Sequence, residues 1–169
     1  EAEALLAGIT VDTKNFSYQT GVRTFEAASI LKRAGADTTT VRQLFRDNFN
    51  TFISKAEVIQ STRLILDRIA IGKLDKEMED SVLIAAQAAD ELLDINGVEA
   101  SFVLTRVNDR IHISGRSLGD ISVQLILERL GGGGHLTSAG TQISGMSMEE
   151  AEEMLIDKIE EFLEEGEKK

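Results

Sequence analysis

The chain has 169 residues, 42% hydrophobic and 28% charged, a balance typical of a folded globular protein of one or two domains. With no cysteine it has neither a disulfide framework nor a thiolate metal site, and no apolar run approaches the roughly 20 residues that a bilayer-spanning helix needs. The formal charge of −11 speaks against a surface built to hold a long polynucleotide. From Ser147 on, ten acidic residues face three lysines, so most of the excess negative charge sits at one end. A small phosphorylated ligand in a pocket elsewhere stays allowed.

Residues 1–8 read as helical and lead into Ile9-Thr10-Val11-Asp12-Thr13-Lys14-Asn15-Phe16, a short β-branched stretch breaking into a polar loop. Thr24 is placed to cap a helix over 24–34 stopped by Gly35. Asp37 is placed to cap another over 38–47, and a third helical pattern covers 50–60. Small consecutive helices without strands suit the tail of a larger α/β domain. A start inside a helical pattern, without Met, leads us to expect a piece of a longer polypeptide.

The character changes near 61–63. Residues 64–71 read as one strand. Met78, Val82, Ala85, Ala86, Ala89, Leu92 and Leu93 then recur at helical spacing and predict an amphipathic helix that buries this stripe. Strand patterns at 98–107 and 110–115 flank Asn108-Asp109, a hairpin signal. Asp120 is placed to cap a helix reaching Leu130, and 140–143 reads as a further strand. Ser147 and Glu150 form a capping box for a terminal helix that turns Met148, Ala151, Leu155, Ile159, Phe162 and Leu163 inward and its acidic run to solvent. The fold class expected is α/β: a mixed sheet packed with helices over 62–169, preceded by the helical tail over 1–61.

Gly131-Gly132-Gly133-Gly134-His135 is the most informative segment. Four glycines in a row are entropically costly, and apolar elements on both sides argue against a floppy linker. The run suits a backbone nest for an oxyanion such as phosphate, with a tight structural turn as the alternative. His135, closing the loop, can donate to a phosphate oxygen or act as an acid near a leaving group. His112, between Ile111 and Ile113, points away from them and reads as a sheet histidine. Arg116, in Ser114-Gly115-Arg116-Ser117, is either a surface ion pair or a forked phosphate clamp. Asp12 is either a turn former or a metal ligand. The first hundred residues show no His-x-x-His, Asp-x-Asp or carboxylate–histidine pair to complete a two-metal cage.

Taken together, the segment 8–16, Ala100-Ser101-Phe102, Ser114-Gly115-Arg116-Ser117, and the glycine–histidine box followed by Ser138-Ala139-Gly140 resemble the DHH–DHHA1 phosphoesterases, and within them the GdpP-type membrane-anchored cyclic-di-AMP phosphodiesterases. The resemblance covers nearly the whole chain. It implies residues 1–61 as the end of a DHH domain and 62–169 as a DHHA1 domain that holds substrate. It implies hydrolysis of a phosphodiester at a two-manganese centre, with Asp12 as a metal ligand. Arg116, Ser117, Gly132, Gly133, Gly134 and His135 fall on the substrate side, His135 close to the chemistry. The substrate implied is cyclic-di-AMP, giving linear pApA; the alternatives are short oligonucleotides in a related hydrolase, or a non-catalytic nucleic-acid-binding DHHA1 module. The name-giving Asp-His-His is absent, so the two Mn²⁺ ions need ligands from a missing N-terminal DHH region, and the fragment alone is expected to be inactive. The intact protein is expected to be membrane-anchored, with this part cytoplasmic and compatible with a homodimer, and the fragment soluble.

Overall fold

The computed structural model describes residues 1–18, 20–78 and 80–167. Backbone contacts divide the chain after Asn48 into two compact units.

The first unit is helical. Helix α1 (Ala2–Asp12) runs straight through the stretch expected to be extended. The reason lies in its hydroxyls: Thr10 Oγ1 donates to the Leu6 carbonyl at 2.8 Å and Thr13 Oγ1 to the Ile9 carbonyl at 2.6 Å, so both threonines are satisfied one turn back. Leu6 and Ala7 are then buried with Ala36 and Val41. Helix α2 (Val22–Arg33) has Gly21, not Thr24, at its N-cap; Thr24 lies one turn in and its hydroxyl accepts from the Gly21 N–H. Helix α3 (Thr38–Leu44) is capped as expected, Asp37 accepting from the Thr40 N–H at 2.9 Å, a bond that holds its carboxyl below the usual carboxylate range. It ends three residues earlier than its sequence suggests.

The second unit is a six-stranded mixed sheet in the order β1-β2-β3-β4-β6-β5. Strands β1 (Arg63–Ile65) and β2 (Ile69–Leu74) are an antiparallel pair where one strand was expected. The turn between them puts Leu66 and Asp67 at φ of 52° and 58°, a left-handed conformation without the usual Gly or Asn. Helix α5 (Ser81–Leu92) then crosses over to β3 (Ala100–Val107), which pairs parallel with β2. Asn108-Asp109 makes the expected tight hairpin to β4 (Arg110–Ser117). A short helix α6 (Val123–Glu128) follows, capped by Ser122 rather than Asp120. Next come β5 (Gly133–His135) and β6 (Ser138–Ser144), and last α7 (Met148–Glu167).

Strand alternation sends Ile71, Phe102, Leu104, Ile111 and Ile113 to one face, where α6 and α7 cover them through Ile126, Leu127, Leu155 and Ile159. The opposite face buries Ala70, Leu74 and Val103 under α5 and helix α4 (Phe49–Ser61). The buried side of α5 is Ile84, Ala85, Ala88, Ala89 and Leu92, a stripe rotated from the expected one. Val82 is 41% exposed, and Met78 and Leu93 only flank the cluster.

The terminal helix keeps its expected inward residues, and the Ser147–Glu150 box closes in both directions at 2.7 and 3.1 Å. One acid leaves the solvated face. Glu152 is buried and bridges Lys73 at 3.0 Å and Arg63 at 2.8 Å, tying α7 to the β1–β2 edge.

Candidate functional site

The glycine run resolves into separate jobs. Gly131 ends α6: its N–H bonds the Glu128 carbonyl and the Gly132 N–H bonds the Leu127 carbonyl, with Gly131 at φ 76°. This is a Schellman stop, which a left-handed glycine favours. Gly132 has no room for a side chain; a Cβ there would lie 2.3 Å from the Gly140 carbonyl oxygen. Gly134, at φ 152°, would meet the Ser138 carbonyl oxygen at 2.5 Å. Both glycines let β5 lie close against β6. Only Gly133 faces open space with no such constraint. Much of the run therefore serves the backbone, and the expected loop is in large part a short edge strand.

Register then places the polar residues. Arg116 on β4 pairs with Ser138 on β6, which pairs with His135 on β5. The three form one transverse row on the same face of the sheet. With strands 4.7–4.9 Å apart, Arg116 and His135 sit about 10 Å apart at their Cα atoms. The row is anchored at both ends of the β5–β6 turn: Ser117 N–H donates to the Thr137 carbonyl at 3.0 Å and Val123 N–H to the Leu136 carbonyl at 3.1 Å. This face is the one α5 covers over β2 and β3. At Gly133, His135 and Gly140 it is exposed. The result is an open shelf.

Arg116 is only 17% exposed at its side chain and is held in place. Its Nε donates to Asp90 Oδ2 on α5 at 3.2 Å, and its Nη1 to the Gly115 carbonyl at 2.9 Å. Both earlier readings of Arg116 thus meet in one residue, since a guanidinium oriented by a carboxylate keeps further N–H groups for an oxyanion. No local signal in the sequence marks Asp90, which lies 26 residues before Arg116 on the polar flank of an apolar helix. Ser117 does not join the row. Its hydroxyl is buried on the opposite face and has no hydrogen-bond partner among the described residues.

Further along the same face, His112 pairs with Gln142, whose Oε1 accepts from Arg110 Nη1 at 3.1 Å. A cleft of about 380 Å³ opens here, lined by Val82, His112, Ser114, Gly140 and Gln142 among others. Burial, then the charge of Arg110, pushes the His112 pKa below its ordinary 6.5. Because the folded value lies below the unfolded one, the unfolded chain takes up this proton first. The contribution of the neutral imidazole is full above about pH 6.5 and is lost as pH falls through the folded pKa. The thermal midpoint should therefore fall between about pH 7 and 5.5, and less so in His112→Gln. An identical fall in both proteins contradicts the assignment.

In the first unit Asp12 is the exposed last residue of α1. It is followed by Lys14, Asn15 and Phe16 at φ of 43°, 56° and 65°, a left-handed run of non-glycine residues. Such strain marks a segment worth testing for function. Among the described residues no group of three or more His, Asp or Glu side chains converges. Asp12 offers a single carboxylate, so the residues present do not make a metal centre by themselves.

Residues 67–165 match the DHHA1 domain. The chain is 52% identical over 170 residues to the cyclic-di-AMP phosphodiesterase GdpP of Bacillus subtilis, covering 98% of this chain and 26% of that protein. It is 48% identical to the cyclic-di-AMP phosphodiesterase PdeA of Listeria monocytogenes, over 96% of this chain and 25% of the relative. It thus spans about a quarter of the length of these relatives. An exopolyphosphatase-related protein from Bacteroides fragilis has the same fold, with a TM-score of 0.85 at 24% identity over 95% of this chain and 50% of that one. With the sheet, the glycine–histidine box and more than half its length matched, the chain belongs to the DHHA1 domain family.

Proposed function

We propose that this chain is the substrate-binding part of a phosphodiesterase that hydrolyses cyclic-di-AMP to linear pApA. The observation that carries the reading is the Arg116–Ser138–His135 row on one sheet face, half-buried at Arg116 and open at the β5–β6 edge, in a chain about half identical to two proteins named as cyclic-di-AMP phosphodiesterases. Arg116 grips a phosphate oxygen with charge-assisted hydrogen bonds, and Ser138 and His135 add donors along the row. His135 stands at the edge nearest solvent, where it can give a proton to a departing oxygen. Their contribution is positioning and electrostatic preorganisation. A related reading, hydrolysis of short linear oligonucleotides, is favoured by a 33% identity over 69 residues to the bifunctional oligoribonuclease and PAP phosphatase NrnA of Thermus thermophilus.

Two manganese ions enter this reading through Asp12 alone, and one carboxylate supports no metal-borne step. The remaining ligands, a membrane anchor and any second copy belong to the same proposal. This chain with added Mn²⁺ is expected to bind pApA and cyclic-di-AMP but to turn over neither. Release of pApA above the level of a Gly132→Val control contradicts the ligand count. Failure to bind either dinucleotide contradicts the substrate-binding role. Joined to a complete DHH domain, Asp12→Ala should lower metal content, whereas Arg116→Ala and His135→Ala should lower turnover at normal metal content.

A further inference from the structure

Helix α4 is built with two opposite sides that shun charge. One side buries Ser54, Lys55 and Val58 against the sheet and α5, its single lysine paired with Glu91. The other carries Phe49, Phe52, Ile53, Ala56 and Ile59, at the spacing of one helical stripe. Among the described residues nothing covers it. Phe49 is 76% exposed and Phe52 62%, and Ile53, Ala56 and Ile59 are exposed as well. No charged side chain interrupts the stripe; Glu57 stands at its margin. The two phenylalanines alone leave about 250 Å² in water. The whole stripe leaves about 450 Å², a patch of the size that marks a contact with another macromolecule.

Three features select a second copy of this chain as the occupant. The first is charge. Each copy carries −11, with ten acidic residues from Ser147 on, so two copies repel over much of their surface. Helices α4 and α7 pack on opposite faces of the sheet. Contact through α4 keeps the acidic helices of both copies a sheet and two packing layers away, beyond the Debye length of about 8 Å. The second is shape. A two-fold contact lays the same patch against itself, with the two α4 helices antiparallel. Phe52 of one copy then falls over Ala56 and Ile59 of the other, its ring in the hollow that the small Ala56 leaves. The third is area. Two stripes together remove about 900 Å² from water, at the low end for specific association and well below an obligate dimer.

We propose that the exposed α4 stripe is the seat of a second copy of this chain, the two helices antiparallel about a two-fold axis near Ile53 and Ala56. The dimer is weak and reversible, with a dissociation constant of about 10–100 μM. It leaves the β4–β6–β5 shelf and the acidic face of α7 outside the contact.

Sedimentation velocity of this chain from about 5 to 500 μM tests the proposal. Wild type should pass from monomer to dimer across that range. Phe52→Glu should stay monomeric throughout with an unchanged thermal midpoint, since the side chain is exposed. Ile59→Lys should also stay monomeric. Leu125→Glu, at an exposed position on α6 across the sheet, should dimerise like wild type. Mixing the Phe52→Glu and Ile59→Lys proteins should restore a dimer, because the antiparallel seat sets the new carboxylate opposite the new ammonium and keeps one apolar pair intact. A wild-type monomer at about 500 μM overturns the proposal, and so does a dimer that Phe52→Glu leaves intact. A mixture that stays monomeric overturns the antiparallel arrangement.

Discussion

Arg116→Ala is expected to weaken binding of pApA to this chain by about 10- to 100-fold, the value of a hydrogen bond to a charged group lost from a partly desolvated site. The side chain is held between Asp90 and the Gly115 carbonyl, so its guanidinium meets a phosphate with little ordering cost. Asp90→Asn keeps a hydrogen-bond acceptor but removes the charge, and should lie between wild type and Arg116→Ala. His135→Ala should cost less, about tenfold, because the histidine stands exposed on the edge strand. Affinity within twofold of wild type for Arg116→Ala would reduce the residue to an ion pair that fastens α5 to β4.

The second large effect is on stability. Leu92→Ala should cost about 2–5 kcal/mol, because Leu92 is fully buried between α5 and the sheet and its loss leaves a cavity. Leu93→Ala, at the margin of the same cluster, should cost roughly 1 kcal/mol, and Val82→Ala should stay within about 0.5 kcal/mol. Urea unfolding of the three variants measures this ordering. A Leu93 loss equal to that of Leu92 would restore the stripe expected from the sequence and contradict the observed helix rotation.

That rotation shows where sequence reading stops. Alanines at 85, 86, 88 and 89 make nearly every side of α5 acceptable to a core, so only the sheet beneath decides which side goes in. The features set by local chemistry were legible: the Asn108-Asp109 hairpin, the Asp37 cap, the Ser147–Glu150 box and the inward face of α7. The β-branched run ending at Asp12 reads as extended, yet its threonine hydroxyls satisfy themselves on the helix. Leu66-Asp67 carries no turn signature, and tertiary pairing of β1 with β2 imposes the turn.

The site divides the same way. The glycine–histidine box and Arg116 stand out in the sequence, and the sheet register brings them onto one face. The Asp90 contact spans 26 residues and Gly132 is crowded by a strand that follows it, so neither is visible before the chain is folded. Ser117 adjoins Arg116 in sequence and is sent to the other face by strand alternation.

The most direct measurement follows backbone amide resonances of this chain as pApA is added. The shelf predicts the largest shifts at Gly133, His135, Ser138 and Gly140, with Arg116 alongside, and little change at Ser117 or along α7. Saturable binding whose shifts fall on α7 or on the Ile71–Phe102 face instead, with the shelf unmoved, would contradict it.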